Sequence, residues 1–145
     1  TTQGFDNMIN EFIGMTRNWS KSIILWNAAL DQKDGPSVIG DNNTNKGMVT
    51  IQNSDNNSSN PEDQVTYMKQ YYLLGHFSKF ISSGAYRIDS NTFGDMQSVA
   101  FKNSDGSKAV ILYNSQSNAR TVKVNWNNQS INYTVPAKSV VTLKW

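Results

Sequence analysis

The stretch Thr121-Val-Lys-Val-Asn-Trp-Asn-Asn-Gln-Ser-Ile-Asn-Tyr-Thr-Val135 sets the rhythm of the second half of the chain. From Thr121 to Trp126 polar and apolar residues alternate, so a strand here has one wet face and one buried face. Asn127-Asn-Gln129 is a turn by its chemistry, and Ile131 to Val135 reads as the next strand. Working outward, Tyr86 to Ile88, Gln97 to Lys102, Ala109 to Tyr113 and Val140 to Trp145 are further short β-rich segments. Turn signals separate them at Asn103-Ser-Asp-Gly106, Asn114-Ser-Gln-Ser-Asn118 and Pro136-Ala-Lys138. This regular strand–turn spacing predicts an antiparallel β-sandwich over residues 85–145.

Before residue 85 the pattern is different. Phe5, Met8, Ile9, Phe12, Ile13 and Met15 recur at spacings of three and four and predict a helix over residues 5–16 with one apolar face. The run Ser22-Ile-Ile-Leu-Trp-Asn-Ala-Ala-Leu30 is apolar without alternation, which suits a strand at about 22–29 buried on both faces, as in a parallel sheet. Asp31 to Pro36 is a turn. Residues 37–60 form a long Asn/Ser/Gly/Asp segment, interrupted by a short strand at Gly47 to Ile51. A helix start follows at Asn60-Pro61-Glu62-Asp63, with a cap, a first-turn proline and two acids at the positive end of the dipole. That helix is expected over 61–82, with Gly84 as its stop.

Composition narrows the function classes. The 145 residues carry a net charge of +2 with Lys and Arg scattered singly, so no basic footprint for nucleic acid is present. The absence of cysteine excludes disulfides, Cys-based zinc sites and thiol nucleophiles. No apolar stretch approaches membrane-spanning length. Neither a cofactor, a metal, a nucleic-acid partner nor a membrane partner is expected. His76 lacks companions at ligand spacing and reads as a packed residue of its helix.

A carboxylate pair for hydrolysis is hard to find. Glu11 lies between apolar positions of the first helix, and Glu62 is explained by helix-start electrostatics. The aspartates fall mainly in turns and loops, as at Asp31, Asp34, Asp41, Asp55 and Asp105. No catalytic residue is assigned. At Trp26 two readings compete. An indole at a strand end can offer a flat face to a sugar ring, with the Asn27 amide beside it; or it fills space in a core. In the β half, Trp126, Tyr133 and Trp145 fit alternate-face packing better than sugar binding.

Four segments are familiar in combination. Trp26-Asn-Ala-Ala-Leu-Asp-Gln-Lys-Asp-Gly-Pro36 resembles the "W-N-x-x-L-(D/N)-x-x-G-G-P" segment of glycoside hydrolase family 30, the O-glycosyl hydrolases that include the glucosylceramidases. Leu74-Gly-His-Phe-Ser-Lys-Phe-Ile81, with Gly84 and Arg87, resembles its "LGHFSKFI-x-x-G-x-x-R" element. Val99 to Ser107 with Ala109 to Asn114 resembles its "DGS" hairpin, and Pro136 to Trp145 its terminal strand. The matches are collinear over nearly the whole chain.

The resemblance implies an α+β piece of a larger enzyme: residues 1–84 as the last β/α unit of a TIM-type (β/α)8 barrel, residues 85–145 as the β-sandwich. It implies a retaining hydrolase of β-glucosides or related β-linked sugars, whose two catalytic glutamates come from earlier strands that have no match here. Trp26 carries over as a pocket-lining residue, with Asn27 beside it. Leu25 stands where glucosylceramidases often have an acid, and Asp34 replaces the first glycine of "GGP". The expected setting is secretion from a bacterium, the cytoplasm being equally compatible with the cysteine count. The expected partners are a carbohydrate substrate and the rest of the barrel, with self-association of the fragment, or docking of its helix on the sandwich, in the barrel's absence. The other function class is a non-catalytic carbohydrate-binding or structural β-sandwich module.

Overall fold

The computed structural model describes residues 2–36, 46–52 and 64–145. In chain order the elements are α1 (Thr2–Arg17), β1 (Ala29–Asp31), β2 (Val49–Ile51), β3 (Val65–Tyr67), α2 (Lys69–Ser78), β4 (Tyr86–Ile88), β5 (Met96–Lys102), β6 (Lys108–Asn114), β7 (Arg120–Trp126), β8 (Gln129–Val135) and β9 (Ser139–Lys144). They form two compact units, one of residues 1–21 with 75–145, the other of residues 22–74.

In the first unit a four-stranded antiparallel sheet runs in the order β4-β5-β6-β9, and β7 and β8 form a separate hairpin. The expected antiparallel β architecture is present, with strand ends within two residues of the sequence reading. Met96, Ala100, Val110 and Leu112 of the sheet pack with Val122 and Val135 of the hairpin. Pairing of Gln97 with Tyr113 and of Val99 with Ile111 puts a second set of side chains on the opposite face. That face meets α1, where the Tyr113 hydroxyl donates to the Asp6 carboxylate at 2.7 Å. β5 and β6 are therefore covered on both sides, which explains their near-continuous apolar sequence.

α1 buries Ile9, Phe12, Ile13 and Thr16, the i, i+3, i+4, i+7 stripe of an amphipathic helix. The Phe12 and Phe77 rings meet edge to face at 5.6 Å. The Arg17 guanidinium in its last turn donates to the carbonyls of Ser90 and Ser98, tying the helix to the sheet. The helix ends in a Schellman motif: Ser20 N–H donates to the Met15 carbonyl, Trp19 N–H to that of Thr16, and Trp19 takes φ = 69°.

In the second unit β1 pairs parallel to β2, and β2 antiparallel to β3. Gly47 permits the close approach, because a Cβ there would stand 2.9 Å from the Val49 carbonyl oxygen and 3.0 Å from the Leu30 nitrogen. Two sequence expectations are corrected here. The strand expected over 22–29 is reduced to Ala29–Asp31, and Ser22–Trp26 joins no ladder among the described residues. A strand exists by its hydrogen-bonded neighbours, and an apolar run alone does not supply them. The helix expected over 61–82 begins only at Lys69. Its Val65-Thr-Tyr67 segment is β-branched and aromatic, and it pairs with β2 instead. The expected cap at Asn60 to Asp63 lies outside the described residues.

Candidate functional site

Trp26 follows an extended segment in which Ile23 and Leu25 are half-buried while Ile24 and Trp26 are exposed. Trp26 is 80% exposed, so its ring is not covered by the described residues. Asn27 takes a left-handed conformation, φ = 66°, which asparagine tolerates better than most residues. Its carbonyl accepts from Met48 N–H at 3.4 Å, and the Ala28 carbonyl accepts from Val49 N–H at 3.1 Å. The backbone turn at Asn27 is thus where the exposed indole gives way to the β1–β2 ladder. The structure brings Trp26 and Asn27 together as chain neighbours on one open surface.

The turn after β1 is built by Asp31. Its carboxylate accepts from Lys33 N–H at 2.8 Å and Gly35 N–H at 2.7 Å, while Asp31 N–H donates to the Gly35 carbonyl at 2.8 Å. A side chain at Gly35 would press a Cβ to within 3.0 Å of that carboxylate. Asp34, standing where the family pattern has glycine, adopts φ = 61° and pairs with the Lys46 ammonium. The substitution therefore keeps a left-handed turn residue.

Glu11 is exposed on α1, while Glu62, Asp41 and Asp55 lie outside the described residues. Asp105 accepts from the Ser107 amide and hydroxyl, which holds its carboxyl below the usual carboxylate range. No three of His, Asp and Glu converge as metal ligands among the described residues. The His76 Nδ1 lies 2.9 Å from the Thr142 hydroxyl, and burial lowers its pKa below the ordinary histidine value. The packed reading of this histidine agrees with that contact.

Sequence reasoning missed two buried amides. Asn103 donates to the Phe80 carbonyl and the Ser107 hydroxyl and accepts from Ser82 N–H, pinning the segment after α2 to the β5–β6 turn. Asn114 donates to the carbonyls of Asn118, Val135 and Pro136 and accepts from Gln116 N–H. Both lie at turns whose Asn/Ser/Gly chemistry was legible; that they point inward was not.

Comparison with known proteins agrees with this architecture. Residues 84–143 match the family model of the glycosyl hydrolase family 30 beta sandwich domain. The chain belongs, through its β-sandwich, to glycosyl hydrolase family 30. It is 31% identical over 138 residues to an endo-1,6-beta-D-glucanase of Trichoderma harzianum, an alignment covering 90% of this chain and 26% of that protein. It is 32% identical over 94 residues to the lysosomal acid glucosylceramidase of Mus musculus, covering 63% of this chain and 16% of the relative. The solved structure of the endo-beta1,6-glucanase BT3312 superposes with a TM-score of 0.81 at 31% identity, over 94% of this chain and 30% of the other. That of SrfJ from Salmonella typhimurium has a TM-score of 0.85 over 99% of this chain and 31% of the other, a likeness of fold at 22% identity. The chain spans about a quarter of the length of the glucanases it matches.

Proposed function

We propose that this family 30 chain is the C-terminal part of a secreted retaining hydrolase of β-linked glucans. In this reading residues 1–84 contribute the last β/α unit of a (β/α)8 barrel and residues 85–145 the β-sandwich. The observation that carries it is the similarity to endo-1,6-beta-D-glucanases along 90% of the chain, which includes the segment bearing Trp26 as well as the sandwich. The exposed flank of Ile24 and Trp26 supports it, since an apolar segment without strand neighbours is what a barrel strand leaves when its neighbours are elsewhere.

Retaining hydrolysis requires two carboxyl groups about 5–5.5 Å apart, one protonating the leaving oxygen and one forming the glycosyl-enzyme bond. In this proposal those groups come from parts of the enzyme preceding residue 1. This chain supplies the Trp26 indole as a platform for a sugar ring and the Asn27 amide as a hydrogen-bonding neighbour. Apolar ring faces of glucose stack on an indole, and an indole fixed at the pocket floor orients the bond to be cut.

The test is hydrolysis of β-1,6-glucan by the enzyme that carries this chain together with its preceding residues. Trp26→Ala is expected to lower kcat/KM about 10- to 1,000-fold while changing the melting temperature little, because the ring is exposed within this chain. Unchanged kinetics in that variant would remove Trp26 from the pocket.

A further inference from the structure

We infer that Gly47 is a positioning residue for Trp26: its missing side chain lets the backbone before β2 close on β1, and so sets the direction in which the indole is presented. Its consequence for catalysis rests on the proposed role of Trp26 in the sugar pocket. Both residues lie in the unit of residues 22–74.

The path from Gly47 to Trp26 is short. After Trp26 the backbone turns at Asn27, with φ = 66°, and enters β1 at Ala29. Two hydrogen bonds hold that turn: Met48 N–H donates to the Asn27 carbonyl at 3.4 Å, and Val49 N–H to the Ala28 carbonyl at 3.1 Å. Both donors directly follow Gly47 in the chain. Met48 is fixed on its other side as well, where its carbonyl accepts from Met68 N–H at 2.9 Å. The bond to Asn27 is longer than the usual 2.7–3.2 Å and has little reserve against further opening.

A Cβ at position 47 would stand 2.9 Å from the Val49 carbonyl oxygen, 3.0 Å from the Leu30 nitrogen and 3.3 Å from the Ala29 carbonyl carbon. All three are backbone atoms, so no change of rotamer relieves the contact. Gly35, after β1, differs, because the atoms nearest a Cβ there belong to the Asp31 side chain. A methyl group at 47 has to move the two backbones apart by about 0.5 Å to reach ordinary van der Waals separation. The long Asn27–Met48 bond opens first, and the turn that carries Trp26 loses its support. Because the indole is exposed, packing among the described residues does not hold it in place. Reacting groups tolerate little of this, since a misplacement of about 1 Å costs about 100-fold in rate.

Structural and kinetic measurements test the two steps separately. The 145-residue chain labelled with 5-fluorotryptophan carries a fluorine on each of its four tryptophans. Gly47→Ala is expected to shift the Trp26 signal and to leave those of Trp19, Trp126 and Trp145, in the other unit, in place. Hydrogen exchange reports on the sheet itself: the N–H groups of Gln52 and Met68, bonded to the Gln64 and Met48 carbonyls, should stay protected. Met48 N–H should exchange about three- to tenfold faster. In the enzyme that carries this chain with its preceding residues, Gly47→Ala should lower kcat/KM on β-1,6-glucan about 10- to 100-fold. The same change should matter less than about twofold when Trp26 is already alanine, because the two residues act through one group. An unmoved Trp26 signal overturns the assignment. So does loss of protection at Gln52 and Met68 along with Met48, since Gly47 would then hold up the whole sheet. An equal kinetic loss with and without the Trp26 ring overturns it too. Should Trp26→Ala leave the kinetics unchanged, the pocket reading fails, while a shifted Trp26 signal still supports its placement by Gly47.

Discussion

Asn114 shows how much one side chain can decide. It is fully buried, and its NH2 group donates to three backbone carbonyls near the ends of β7–β8 and the start of β9. Asn114→Ala leaves those carbonyls without their partner and should cost about 2–3 kcal/mol in urea unfolding. Asn114→Asp puts a carboxylate against the same oxygens and should cost more, about 3–5 kcal/mol. Equal losses in the two variants would mean that the amide protons do not matter. Trp19 gives a second residue-scale test. It holds the left-handed position that ends α1, where glycine is preferred, and the Arg87 guanidinium stacks 4.0 Å from its ring centroid. Trp19→Gly exchanges the stack for relief of backbone strain of about 1–2 kcal/mol and should be nearly neutral. Trp19→Ala keeps the strain and loses the stack, so it should melt lower than the glycine variant. Neither residue announced these roles in the sequence, because an inward-turned amide and a left-handed tryptophan leave no periodic trace.

Legibility at the scale of elements depended on where each element finds its neighbours. The β4–β9 strands were readable because partners follow one another along the chain, with turns such as Asn127-Asn128 written in residues that accept positive φ. α1 was readable because a single stripe, Ile9, Phe12, Ile13 and Thr16, meets the sheet. Val65-Thr-Tyr67 was misread because helix-compatible spacing continued through it, and only the ladder with β2 shows that it is a strand. The join between α2 and β9 carries a pH prediction. Burial lowers the pKa of His76, so the folded state disfavours its protonation relative to the unfolded chain, whose value is near 6.5. Its contribution to stability is therefore complete above about pH 6.5 and is lost as pH falls through the lower folded value. Melting temperature should drop below pH 6.5 in the parent and drop less in His76→Phe. A parallel decline in both would assign the acid sensitivity to other groups.

On the scale of the whole molecule, the β-sandwich belongs to glycosyl hydrolase family 30, and the chain spans only about a quarter of its glucanase relatives. Ile24 and Trp26 are 90% and 80% exposed, and Tyr67, Tyr71 and Tyr72 form an exposed aromatic cluster. An open apolar surface of this kind favours association, so concentration-dependent sedimentation is expected of the isolated 145 residues. A monomer at every concentration would mean that the surface tolerates water. In the proposed function this chain contributes scaffold and a sugar platform, and the reacting carboxylates come from other parts of the enzyme. The most direct measurement is release of a chromogenic group from an aryl β-glucoside, run on this chain alone and on the same chain with its preceding residues. Turnover is expected only in the longer protein; turnover by the 145 residues alone would overturn the proposed division of roles.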